Sequence, residues 1–208
     1  MNKFIALNGR SLSGKDTIAN YLSDKYGFIK ISFAEPLYKI AHDYFGMTYK
    51  DRSLLQAIGQ GYRSIDEDVW VKYLFKKLEE KVNSNEISKD SNIVITDIRQ
   101  ENEYVASVMN GFVPIKVSAP LEKRVERATM RDGKIPDIKL WEATAETGAD
   151  NFPYIEIIND SSLDDLYKKV DSIVANHTLG HSLLHAAMSK IMEDLKGTIK
   201  LNSNRNIK

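Results

Sequence analysis

Residues 4–22 read FIALNGRSLSGKDTIANYL, an apolar run that meets Gly9, Gly14 and Lys15 and then a helical stretch. The spacing is G-x-x-x-x-G-K, with Asp16 and Thr17 next. Glycines at those two places let a chain turn tightly enough for its backbone N–H groups to converge on an anion. A helix starting near Asp16 points its positive end at the same spot. Lys15 is then placed to reach the β- and γ-phosphates of a nucleotide, and Ser11 and Ser13 complete the loop that would touch it. The plainer alternative is a glycine-rich strand–helix turn with a chance lysine. Asp16 stands where such a loop ordinarily has Ser or Thr. A carboxylate suits the first turn of a helix, but aimed at phosphates it would repel them. It could hold Mg²⁺ through water, and Thr17 supplies the hydroxyl one place later.

Three other groups of residues could do chemistry. Asp97 and Arg99 follow the apolar run NIVIT, at the C-terminal end of a predicted strand, where open α/β sheets bind ligands. Asp97 there could orient the water shell of Mg²⁺, a cation that keeps several waters. Arg99 could grip a phosphate with its planar fork; a surface turn is the competing reading. Arg124, Arg127 and Arg131 are spaced by three and four, so a helix would carry them on one face. Cations gathered on one face repel unless something negative arrives, and phosphoryl transfer spreads such charge over its equatorial oxygens. Glu122 and Glu126 offer the alternative of a surface helix with intrahelical ion pairs. His177, His181 and His185 are spaced by four, but Gly180 interrupts them and no carboxylate stands at matching spacing, which favours exposed or interface histidines over a metal site.

The elements that must position these residues alternate. Strands are expected at 3–8, 28–33, 92–97, 112–118 and 154–160. Helices are expected at 16–25, 35–45, 51–60, 66–82, after 97 up to Asn110-Gly111, from Pro120, and at 162–175. Pro114 is awkward inside a central strand, so the fourth strand is expected to start at or just after it. Alternation of this kind implies right-handed crossovers and a parallel sheet covered on both faces, an α/β three-layer fold. At 208 residues the chain has room for one good-sized domain. Its 29 basic and 29 acidic residues cancel, which argues against a nucleic-acid coat or a polybasic membrane binder. Cysteine is absent, excluding disulfides, thiolate metal sites and a cysteine nucleophile. With no membrane-length apolar run and no signal-peptide pattern, the expected location is the cytoplasm. Beyond residue 175, Leu184, Met188, Ile191 and Leu195 form an apolar stripe at helical spacing, packing either on the domain or on a second copy in a homodimer.

Several segments taken together resemble the phage-type deoxynucleoside monophosphate kinases. These are ISFAEPLYKIA at 31–41, LLQAIGQGYRSIDEDVWVKYL at 54–74 and VITDIRQENEYVASV at 94–108. The strand–Asp-x-Arg-x-x-Asn-Glu pattern is also similar to phosphomevalonate kinases, and the G-K-D-T loop is at home in this group. The resemblance covers residues 3–175 and implies a P-loop kinase fold with a five-stranded parallel sheet, an acceptor-binding helical region about 35–82 and a lid about 120–150. It implies ATP as donor, Mg²⁺, a deoxynucleoside monophosphate as acceptor and, for a phage-encoded enzyme, the host cytoplasm. Lys15, Asp97, Arg127 and Arg131 would serve catalysis. Arg99 and Arg63 would clamp the acceptor's phosphate. Phe33 and Trp70 would flank its base, although core is the better reading for Trp70 alone. Lys39 and Gln56 are either polar contacts or a solvated helix face. Arg124 would lie nearest the adenine, with Arg127 and Arg131 nearer the transferred group. Asn159 and Asp160 would shape the adenine pocket through their backbone.

Overall fold

A computed structural model describes residues 3–136, 149–176, 182, 184–189 and 191. The strands are β1 (Phe4–Asn8), β2 (Ile29–Ile31), β3 (Ile93–Ile98), β4 (Val113–Ser118) and β5 (Ile155–Ile158). They form one parallel sheet in the order β2-β3-β1-β4-β5. The chain leaves β1 toward one side and crosses to the other between β3 and β4. That reversal opens a crevice at the C-terminal end of β1, where the predicted phosphate loop begins.

The helices are α1 (Lys15–Tyr26), α2 (Glu35–Phe45), α3 (Arg52–Arg63), α4 (Val69–Asn83), α5 (Glu101–Met109), α6 (Leu121–Asp132) and α7 (Leu163–Ala175). Alternate residues of each strand feed opposite layers, as the period of two requires. Ile5, Leu7, Val94, Ile115 and Val117 pack on α1 and α7 through Ile18, Leu22, Leu166 and Val170. Ala6, Ile93 and Ile95 face the other way, onto Leu74, Tyr104 and Val108. A third cluster of Ala41, Leu55, Ile58 and Trp70 binds α2, α3 and α4 together.

Two of the differences from expectation bear on the sheet around the site. β4 begins at Val113, so Pro114 is inside it, paired with Ala6 of β1. This is tolerated because β5 pairs with β4 only from Ile115 onward, so on that side Pro114 has no ladder partner to miss. β2 is only three residues long, because Ser32 and the residues after it turn away to be held by Asp97. Beyond α7, residues 184–189 are helical, and Ala187 and Ile191 are buried in the same cluster as Tyr104 and Phe112. Leu184 and Met188 pack against it, so these three members of the stripe face the chain's own core. Leu195, His177, His181 and positions 137–148 of the expected lid lie outside the described residues.

Candidate active site

The phosphate loop is glycine-dependent at both ends. Gly9 and Gly14 have φ of 144° and 109°, which L side chains rarely adopt. A Cβ on Gly9 would lie 2.2 Å from the Val117 carbonyl oxygen, and one on Gly14 would lie 2.3 Å from Asn159 Nδ2. Between them Leu12 also takes a left-handed conformation, φ 62°, a strained position for a branched side chain. The loop is braced from behind. Asn159 Nδ2 donates to the Ser13 carbonyl (2.8 Å) and Arg127 Nη1 to the Leu12 carbonyl (3.0 Å). Lys15 Nζ donates to the carbonyls of Gly9 and Arg10. Burial lowers its pKa to about 8, and the charges of Arg99 and, more weakly, Arg124 push the same way, against Asp16 and Asp97. Lys15 is thus surrounded by the charged groups that the sequence offered for the reaction.

On the other side of the crevice Asp97 ends β3 with its carboxylate already engaged. Oδ1 accepts from the Phe33 N–H (2.9 Å), and Oδ2 from Ser32 Oγ and the Ala34 N–H (both 2.9 Å). It therefore fixes the turn into α2. Arg63, the last residue of α3, donates from Nη2 to Glu103 Oε1 at 3.1 Å. Glu103 Oε2 in turn accepts from the backbone N–H groups of Arg99 (2.8 Å) and Gln100 (3.0 Å). The Arg99 carbonyl accepts from the Ala149 N–H (3.2 Å). A cavity of about 460 Å³ opens between α1, β2 and α2, lined by Asp16, Asn20, Ser32, Glu35, Tyr38 and Thr96.

Residues 5–151 match a family model described as an AAA domain. The chain belongs to this AAA-domain family. The protein resembles Uncharacterized protein ORF76 of Ictalurid herpesvirus 1 (strain Auburn), with 28% identity over 109 residues, 50% of this chain and 44% of the relative. The chain thus spans under half the length of that curated relative. Among solved structures, a sugar kinase from a Janibacter species superposes with a TM-score of 0.51 at 17% identity, over 86% of this chain and 98% of the other. TT1252 from Thermus thermophilus gives 0.51 at 16%, over 85% and 98%. At such identities the likeness establishes the fold alone, a five-stranded parallel sheet flanked by helices.

Within this AAA-domain site the remaining expected residues fall into place unevenly. Arg124 is buried, and its charge helps to lower the Lys15 pKa. Arg127 bridges the Leu12 and Asn159 carbonyls, while Arg131 pairs with Asp132 at 2.7 Å. Phe33 and Trp70 are 3% and 4% exposed. Both are packed core side chains: Phe33 lies against Phe75, and the Trp70 indole N–H donates to the Gly59 carbonyl (3.2 Å). Lys39 is on the exposed face of α2, paired with Asp43 (2.8 Å), and Gln56 is exposed on α3. Asp160 is exposed beside Lys169 (3.5 Å), and Ser11 and Thr17 are half-buried at the loop.

Three residues of the AAA-domain site escaped the sequence. Tyr38 is the aromatic that lines the cavity. Arg10 reaches Asp150 (3.4 Å), tying the loop to the stretch that leads into β5. Glu103 joins the two proposed clamps; the sequence offered it only as the last residue of the Asp-x-Arg-x-x-Asn-Glu pattern, without its partner Arg63.

Proposed function

We propose that this protein is a nucleotide kinase, transferring the γ-phosphoryl group of ATP to a deoxynucleoside monophosphate to give a deoxynucleoside diphosphate and ADP. The observation that carries the reading is the phosphate loop, where Gly9 and Gly14 leave no room for a Cβ and Lys15 opens α1 at the C-terminal end of β1. Lys15 as donor-phosphate cation and Arg99 as acceptor-side cation, from different strand ends, are close enough for one to depress the other's pKa. Two anionic substrates relieve that repulsion, and a single reaction centre between them is the economical reason for building it. In the step itself the bond from the γ-phosphorus to ADP's oxygen breaks as a bond to an acceptor phosphate oxygen forms. The acceptor is already an anion at pH 7, so no general base is required. The protein's part is alignment and charge compensation.

Lys15 and the loop N–H groups would hold the donor phosphates, and Arg63 and Arg99 the acceptor's phosphate. Arg127 and Arg131 would compensate the charge of the group in flight, with Arg124 nearer the adenine. Tyr38 on the cavity wall supports a base-bearing acceptor, taking the part that Phe33 and Trp70 are too buried to play. The donor set suits Mg²⁺, which needs only one or two carboxylates beside the phosphates. Asp16 and Thr17 flank the loop, and Asp97, with three hydrogen bonds already made, would contact only the ion's waters. Bound there, the ion would neutralise phosphate charge. The burial of Phe33 and Trp70 favours a second acceptor class, a small phosphorylated metabolite without a base, such as phosphomevalonate. Incubating the protein with ATP, Mg²⁺ and a panel of ribo- and deoxyribonucleoside monophosphates, with phosphomevalonate alongside, separates these readings by ADP formation. ATP binding with no ADP from any acceptor would make the protein a nucleotide-binding module.

A further inference from the structure

Glu103 is 2% exposed, and its environment is hard to explain as that of a helix cap alone. Capping side chains ordinarily sit at the surface, where a neutral Gln serves as well as Glu. Burying a carboxylate costs several kcal/mol unless it is paired and hydrogen-bonded. Here the carboxylate is matched on both oxygens. Oε2 takes the N–H groups of Arg99 and Gln100, and Oε1 takes one N–H of Arg63. Arg63 arrives from α3, forty residues earlier in the chain. A guanidinium has five N–H groups in a rigid fork, so a bond at Nη2 orients the fork and leaves donors for an anion. Asn102, the neighbouring residue, fastens the same helix start to Glu67 and Asp68 just before α4 (3.0 and 2.9 Å). The α3–α4 unit and the β3–α5 turn are therefore locked together at the point where both clamp arginines emerge. Burial, followed by the charge of Asp97, raises the Glu103 pKa, and Arg63 opposes that rise.

We propose that Glu103 is a positioning residue: it holds the Arg63 guanidinium in register with Arg99, so that the acceptor's phosphate meets a preformed two-arginine clamp. The ligand in this statement rests on the kinase reading above; the register itself does not.

Glu103→Gln keeps the shape and an oxygen for the backbone N–H groups but removes the charge. The expected result is a rise of roughly tenfold or more in the KM for the monophosphate with the KM for ATP unchanged. In an Arg63→Ala background the same substitution should change the acceptor KM less than about twofold, because the fork it positions is gone. An equal effect in both backgrounds would overturn the proposal and leave Glu103 a cap. If Gln at 103 does not fold, Glu103→Asp retains the charge and the cap but shortens the reach to Arg63, and the same acceptor-specific rise is expected. Should the parent protein phosphorylate no monophosphate, the kinase reading fails by itself. The register is then judged by ¹⁵N side-chain spectra of Arg63. A restrained Nε–H in the parent that becomes mobile in Glu103→Gln upholds it, and equal mobility in both refutes it.

Discussion

Lys15 lies beneath its own loop's carbonyls, and burial together with Arg99 brings its ammonium to about 8, from an ordinary 10.5. A tenfold change in proton affinity corresponds to about 1.4 kcal/mol, so the protonated form is disfavoured in the fold by roughly 3 kcal/mol. The folded value is the lower one, so the unfolded chain binds more protons between pH 8 and 10.5 and stability rises with pH across that window. Lys15→Met removes the cost. It should therefore raise the melting temperature at pH 7, with the advantage over the parent fading as the pH approaches 10.5, while lowering phosphoryl transfer about 10²-fold or more. A variant that melts below the parent at pH 7 would mean that the two carbonyl bonds outweigh the buried charge. The lowered pKa also bears on binding. Nucleotide phosphates restore the ammonium's proton, so ATP affinity should weaken above about pH 8, by up to about tenfold for each pH unit. Calorimetry in two buffers should register the accompanying proton uptake. Gly9 is constrained differently, by backbone. Its absent Cβ would meet the Val117 carbonyl, which cannot step aside, so Gly9→Ala should distort the loop and remove ATP binding while far-UV circular dichroism stays that of the parent.

At the scale of the element, α6 is the segment whose sequence promised one cationic face and whose structure divides it into three environments. Arg127→Ala frees the Leu12 and Asn159 carbonyls and so should weaken ATP binding as well as lower kcat. Arg131 has its resting partner in Asp132. If it meets the phosphates only as the transition state forms, Arg131→Ala lowers kcat and leaves ATP affinity alone. A purely surface role predicts unaltered kinetics and a stability change of a few tenths of a kcal/mol. Steady-state kinetics of the two variants, with ATP affinity measured separately, decides. Helix spacing showed that these arginines share a face but could not show how deep each lies, because depth depends on where α6 enters the crevice. Strands were legible wherever apolar residues alternate or run together, and β1, β3 and β5 stand within two residues of their expected ends. Pro114 misled because a proline's cost depends on whether a neighbouring strand is paired at that position, which is tertiary information. Glu103 was visible as the end of the Asp-x-Arg-x-x-Asn-Glu pattern, but its pairing stayed hidden for the same reason, Arg63 being remote in sequence and near only after α3 docks. Trp70 was legible as core from the sequence, whereas Phe33 was legible only as an aromatic near the site.

Over the whole molecule, the loop, clamps and α6 are positioned by a sheet whose two faces are closed by different parts of the chain. α1 and α7 close one face, further joined where Asp171 accepts from Tyr21, Tyr26 and Lys25. The other face is closed by α4 and α5, and also by residues beyond 176. A domain ending at residue 175, as the family resemblance implies, would leave Tyr104, Phe112 and their neighbours without Ala187 and Ile191. The same contacts use three members of the apolar stripe that could otherwise have served a homodimer. Ile191 is 4% exposed and Leu184 and Met188 pack beside it. Burial of this kind is worth about 1.5–3 kcal/mol for each fully buried large apolar side chain. After the entropy of ordering the segment is subtracted, a chain ending at Asn176 should lose roughly 2–4 kcal/mol in urea unfolding and bind a hydrophobic dye that the full chain does not. Its unfolding slope should change little, since the sheet and seven helices remain. If the extension instead served only to join two copies, truncation would leave the midpoint of a dilute sample unchanged, and sedimentation would show a dimer dissociating to monomer. An unaltered midpoint with no dye binding would place the boundary of the domain at residue 175 and detach the extension from the core.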